Sequence, residues 1–103
     1  MKVENDKVVG LSKGELVSHL TKQLNARVEK FNTNNGWGFG GAYGERYHLK
    51  NNIVVTIATA CFRHTGTTPF IRVDHNGRHG VIDTDRSSTR LANVYNFVNE
   101  NNI

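Results

Sequence analysis

Apolar positions along the chain follow two different periods. Leu16, Leu20, Leu24, Val28 and Phe31 recur at helical spacing. Ser12-Lys13-Gly14-Glu15 ahead of them carries the capping-box signature, and Leu11 and Leu16 stand where a hydrophobic staple places its pair. Together these predict a helix from about Lys13 to Phe31 or Asn32, with Asn32-Thr33-Asn34-Asn35-Gly36 as its stop. Before it, Lys7-Val8-Val9 reads as a short edge strand. Near the other end Leu91, Val94, Tyr95 and Val98 make one face of a second helix, from about Ser88 to Asn99, with Asp85, Ser87 and Ser88 as candidate N-caps.

The stretch between the helices is β-prone and punctuated by turns. Asn76-Gly77 supplies the two positive φ angles of a type I′ hairpin. Counting outward pairs His75 with Arg78, Asp74 with His79, Val73 with Gly80, Arg72 with Val81 and Ile71 with Ile82. Ile71, Val73 and Ile82 then share a core face. Phe70, Arg72, Asp74, His79, Val81 and Asp83 look outward, placing a cation, a carboxylate and an imidazole side by side. If Asn51-Asn52 is a two-residue turn as well, Lys50 faces Ile53, His48 faces Val55 and Arg46 faces Ile57. The run from Ile53 to Ala60 is apolar on both faces, so its second face needs cover from a partner, from a second copy, or from the aliphatic stems of Arg46 and Lys50.

Gly36-Trp37-Gly38-Phe39-Gly40-Gly41-Ala42-Tyr43-Gly44 holds five glycines and three aromatics. It reads as a strand relaxed by glycine, allowing bulging or close backbone approach, with its rings packed on the helix. Rings facing outward would instead be stacking platforms for single-stranded bases beside the arginines. The G-x-G-x-x-G string at Gly36, Gly38 and Gly41 follows a helix, where a dinucleotide fingerprint must follow a strand and open a helix. The expected fold is a single α+β domain over residues 1–103, an antiparallel sheet of four to five strands with two helices mainly on one face. The element order is α-β-β-β-β-β-α, with a possible short N-terminal strand.

Composition narrows the class of partner. A chain of 103 residues accommodates one modest core. No run approaches the ~18 apolar residues of a membrane span, and the opening residues lack a signal-peptide core. One cysteine, Cys61, cannot form an internal disulfide, which favours the cytoplasm of a bacterial or infected host cell. The net charge of +4 is unevenly placed: from Arg46 to Arg90 seven cations face three carboxylates, and elsewhere the two balance. Six of those seven are arginines, whose planar fork suits phosphate or carboxylate, and His48, His64, His75 and His79 fall in the same segment. A solvated sheet face explains such a segment; so does an anionic partner, nucleic acid or an acidic protein surface. Arg86 and Arg90 sit at a helix start, where the macrodipole disfavours cations, which suggests an external anion or pairing with Asp83 and Asp85.

Catalytic and metal chemistry have thinner support. Cys61, His64, His75 and His79 have a spacing superficially like that of zinc ligands, but the hairpin register sends His75 and His79 to opposite faces. No cofactor or metal is expected, and Cys61 ends a strand with no imposed partner to activate it. Asp74, His79 and Arg72, with His48 or His64 as a second base, would suit metal-independent RNA cleavage. The same Asp74 and His79 also make an ordinary cross-strand ion pair, worth roughly 0.2 to 1 kcal/mol.

The order helix, antiparallel strands, helix is similar to that of double-stranded-RNA-binding domains, without the lysine cluster expected at their second helix. The short length and thirteen asparagines are similar to those of small bacteriophage accessory proteins, many of which disable a host nucleic-acid machine. These are analogies of topology and composition, and no family is assigned from them. The reading that follows is a non-enzymatic binding module, in the manner of a phage accessory or inhibitor protein. It would engage nucleic acid or a nucleic-acid-handling protein through Arg46, His48, Lys50, Arg63, Arg72, Arg78, His79, Arg86 and Arg90. A small ribonuclease is the first alternative, and a homodimer with sheets packed face to face is the second.

Overall fold

The structure, a computed structural model, describes residues 2–33, 42–62, 66–84 and 87–101. In chain order the elements are β1 (Lys2–Glu4), β2 (Lys7–Gly10), α1 (Lys13–Ser18), β3 (Arg27–Thr33), β4 (Ala42–His48), β5 (Ile53–Phe62), β6 (Gly66–His75), β7 (Arg78–Thr84) and α2 (Ser88–Asn101). The last five strands form one antiparallel sheet in the order β3-β4-β5-β6-β7, while β1 and β2 make a separate hairpin. This is the expected α+β architecture, with one helix before the large sheet and one after it. No helix among the described residues is long and apolar enough to cross a membrane.

The first helix starts as its sequence dictates and stops early. Ser12 Oγ accepts from the Glu15 amide at 3.2 Å and Glu15 Oε1 accepts from the Ser12 amide at 2.9 Å, closing the capping box. Leu11 and Leu16 are both buried. After Ser18 the coil widens into a π-helical turn, His19–Gln23, and Asn25 ends it at φ 55°. Asparagine tolerates this left-handed conformation, and the Ala26 amide closes back on the Leu20 carbonyl at 2.9 Å. The predicted continuation to Phe31 or Asn32 is therefore overturned, since residues 27–33 form β3. Seven unbroken antiparallel pairs with β4 outweigh the helical spacing of Val28 and Phe31, side chains that suit a strand equally well. The predicted stop at 34–36 lies outside the described residues.

Lys7-Val8-Val9 does form a strand, paired with β1 through a turn in which Asn5 and Asp6 take φ of 49° and 64°. Asn96 docks this hairpin on α2. Its Oδ1 accepts from the Val8 amide at 3.1 Å, and its Nδ2 donates to the Val8 carbonyl at 2.7 Å.

Two registers differ from expectation. Asn51 and Asn52 both have positive φ, 60° and 56°, but the connection is three residues long, and the Leu49 amide donates to the Ile53 carbonyl at 2.9 Å. His48 therefore pairs with Val54, Tyr47 with Val55 and Arg46 with Thr56. One residue of slip exchanges faces, so Tyr47 enters the core beside Val55, and Arg46 and His48 face Thr56 and Val54 in place of Ile57 and Val55. At Asn76-Gly77 the turn is as predicted, φ 53° and 81° with His75 opposite Arg78, but a bulge follows. Val73 pairs with Ile82, Arg72 with Asp83 and Ile71 with Thr84, in place of Gly80, Val81 and Ile82. A two-residue slip preserves the faces. Its cause is Gly80, which takes φ 66° and donates its amide to Asp74 Oδ1 at 2.8 Å instead of continuing the ladder.

The core lies between one sheet face and both helices. Tyr47, Ile53, Val55, Ile57, Ile71 and Val73 from the sheet close on Leu16, Leu20, Leu91, Ala92, Val94 and Val98, and Val8 and Leu11 join them. Ser87 caps α2, its Oγ accepting from the Arg90 amide at 3.4 Å. Tyr43 is 49% exposed, so it does not pack on a helix as expected; Trp37 and Phe39 lie outside the described residues. Gly44, the glycine of that stretch among the described residues, has no room for a side chain. A Cβ there would lie 2.2 Å from the Ile57 carbonyl oxygen and 2.8 Å from the Ala58 Cα.

Candidate functional site on the outer sheet face

Strand alternation turns the residues between the core positions to the other side of the sheet. The ladders line up Glu29, Arg46, Thr56, Arg72 and Asp83 in one row across all five strands. In the adjoining row stand Phe31, Gly44, Ala58 and Phe70, and on the other side Arg27, His48, Val54 and Asp74. Thr56 and Ala58 are 2% and 1% exposed, and among the described residues the helices pack on the opposite face. In the ladder Thr56 lies between Arg46 and Arg72, and Ala58 between Gly44 and Phe70. Lys50 stands in the exposed β4–β5 turn.

Two polar clusters border this central strip. On the β3–β4 side, His48 Nε2 donates to Glu29 Oε1 at 3.0 Å and Arg46 Nη1 lies 3.9 Å from the same oxygen. The Arg46 guanidinium carbon sits 4.1 Å from the centroid of the Phe31 ring, a cation–π contact. The hydrogen bond from His48 and the neighbouring cations hold the Glu29 carboxyl below the usual range, against a smaller effect of burial.

On the β6–β7 side, Asp74 collects Arg72 Nε at 3.0 Å, Arg72 Nη2 at 3.4 Å and the Gly80 amide at 2.8 Å. His79 Nδ1 lies 3.8 Å from Asp74 Oδ2 and 3.5 Å from Arg72 Nη2. Burial works to raise the Asp74 carboxyl, but the Arg72 and Gly80 hydrogen bonds, with the charges of Arg72 and His79, outweigh it and hold the group low.

The face that receives these arginines also receives their counter-charges. Arg27, Arg46 and Arg72 are met there by Glu29, Asp74 and Asp83. The excess counted along the sequence does not become an unbroken basic patch on this face. Among the described residues, Arg46 and Arg72 of that excess join two clusters paired with acids.

Of the nine predicted binding residues, Arg46, His48, Arg72 and His79 belong to these clusters. Lys50 and Arg78 stand at the β4–β5 and β6–β7 turns. Arg78 pairs with His75, whose ring meets Phe97 of α2 edge-on at 5.6 Å, so that pair belongs to the helix side. Arg90 is exposed in the first turn of α2. Arg63, Arg86 and His64 lie outside the described residues. His75 and His79 stand on opposite faces, as the hairpin register predicted, and among the described residues no group of three or more His, Cys, Asp or Glu could hold a metal. His48 on β4 and His79 on β7 have two strands between them, about 14 Å at normal strand spacing. They cannot serve one scissile phosphate as base and acid.

Sequence reasoning missed Glu29 and Phe31, which it placed on a helix. The one local signal was Asn25, able to break the helix, since Arg27 to Phe31 shows no polar–apolar alternation. No protein-family model, curated protein or solved structure matches this chain.

Proposed function

We propose that the chain is a non-enzymatic binding module that takes single-stranded nucleic acid across the outer face of its sheet. The observation that carries this reading is the pair of rows in which Arg46 and Arg72 flank buried Thr56 while Phe31 and Phe70 flank Gly44 and Ala58. In these rows small residues stand between two arginine and aromatic borders. Bases stack on aromatic rings and on guanidinium planes, each worth roughly 1 to 3 kcal/mol, while arginine reaches the phosphates. Phe31 supports the Arg46 guanidinium from below.

Because both clusters hold acids, stacking contributes more of the affinity than phosphate contact does. Two arginine–phosphate contacts give a slope of about −1.4 in log affinity against log salt for a single strand. Ribonuclease activity through His48 and His79 has less support, since two strands separate them; His64 lies outside the described residues.

The test is fluorescence anisotropy of labelled single-stranded and duplex RNA and DNA, titrated with salt. The expected result is saturable binding that favours single strands with a shallow salt slope, weakened about tenfold or more in Arg46→Ala and in Arg72→Ala. No binding at low salt, or binding indifferent to both substitutions, overturns the proposal; in the first case an acidic protein surface becomes the ligand to seek.

A further inference from the structure

The two edges of the large sheet are built differently. β7 is interrupted by the bulge at Gly80 and keeps only three consecutive pairs with β6, the kind of irregularity that protects an edge from further pairing. β3 has no such interruption. It makes seven regular pairs with β4, has no positive φ and no proline, and among the described residues no strand pairs with its other side. Val28 on this edge is 45% exposed. Arg27, on the outer face of the same strand, makes no hydrogen bond or salt-bridge contact among the described residues, its charge acting on Glu29 only from a distance. Both contacts of Glu29, from His48 and Arg46, fall on Oε1.

We propose that β3 is a self-complementary edge through which two copies of this chain pair antiparallel about Val28, joining their sheets into one of ten strands. In such a twofold pair a residue meets its own copy on the axis, and its neighbours meet in reverse order. Centred on Val28, Arg27 of each copy faces Glu29 of the other, next to the unused Oε2, and the exposed valines close on each other on the helix side. Centred on Glu29, two carboxylates meet; centred on Lys30, two ammonium groups meet. The charges on β3 thus select one register and oppose its neighbours. The ladder is short, so the dimer is weak and dependent on concentration. It leaves the outer face open, and the inference stands apart from the nucleic-acid reading.

Sedimentation velocity over a wide concentration range tests it. The wild-type chain of 11.5 kDa is expected to shift reversibly toward twice its mass. Val28→Lys and Arg27→Glu should each weaken the dimer at least tenfold, with circular dichroism unchanged because both sites are exposed. The exchange Arg27→Glu with Glu29→Arg should restore association. A Val28→Cys, Cys61→Ser variant should oxidise to a covalent dimer. A wild-type chain that stays monomeric throughout, or a dimer indifferent to Val28→Lys and Arg27→Glu, as a face-to-face dimer would be, overturns the proposal.

Discussion

Gly44 and Asp74 show how much of the outer face rests on single residues. At Gly44 the obstruction to a side chain is the backbone of the neighbouring strand, which no rotamer change relieves. Gly44→Ala should cost about 3 kcal/mol or more, whereas Gly10→Ala, with nothing within 4 Å of its new Cβ, should stay within about 0.5 kcal/mol. Denaturant midpoints of the two variants check this. Asp74 satisfies a backbone amide and a guanidinium at once, so Asp74→Ala should cost about 1 to 2 kcal/mol, the lower figure applying where water replaces the lost partner.

The sign of the pH effect follows from the same groups. Glu29 and Asp74 both have folded-state carboxyls held below their ordinary values. Their contribution is present above the unfolded pKa near 4 and is lost as pH falls through the folded values. Thermal unfolding should show the wild type losing stability on acidification below about pH 5. The Glu29→Gln, Asp74→Asn variant should begin lower and lose less. Equal losses in both would remove these carboxylates from the account.

Among the elements, those with local punctuation were legible. The capping box at Ser12, the positive-φ turn at Asn76-Gly77 and the α2 face of Leu91, Val94 and Val98 stand where residue chemistry puts them. What escaped depended on distant pairing. Arg27–Thr33 fits a helix by spacing and becomes a strand because β4 is available to pair with it. The Asn51-Asn52 turn was recognised but miscounted by one residue, and that sufficed to exchange the faces of Arg46 and Tyr47. The Gly80 bulge needed Asp74 to capture an amide, a tertiary event with no local mark except the glycine. Arg72, Asp74 and His79 were therefore legible as a cluster, and Glu29 and Phe31 were not.

Asn96 supplies an element-scale expectation. Asn96→Ala removes both hydrogen bonds that hold β2 to α2. Amide exchange should quicken in residues 2–10 with little change in β4 to β6; uniform quickening would mean that the hairpin and the large sheet unfold as one unit.

At the scale of the whole molecule, the described helices and the core occupy one side of the sheet, and rows of arginine, acid and phenylalanine stand on the other. Of the arginines concentrated between Arg46 and Arg90, the described ones separate into outer-face, turn and helix-start positions, and Arg46 and Arg72 on the outer face are matched by acids. Net charge alone would lead one to expect salt-sensitive, phosphate-driven binding. The arrangement of Arg46 on Phe31 and the buried strip at Thr56 and Ala58 leads instead to stacking with few phosphate contacts.

The most direct measurement is amide chemical-shift mapping of the chain titrated with a short single-stranded oligonucleotide. The account expects the largest shifts in a contiguous band at Phe31, Gly44, Arg46, Thr56, Ala58, Phe70 and Arg72, with α1 and α2 unmoved. Shifts confined to the helix side, or none at concentrations that saturate an established single-strand binder, would contradict it.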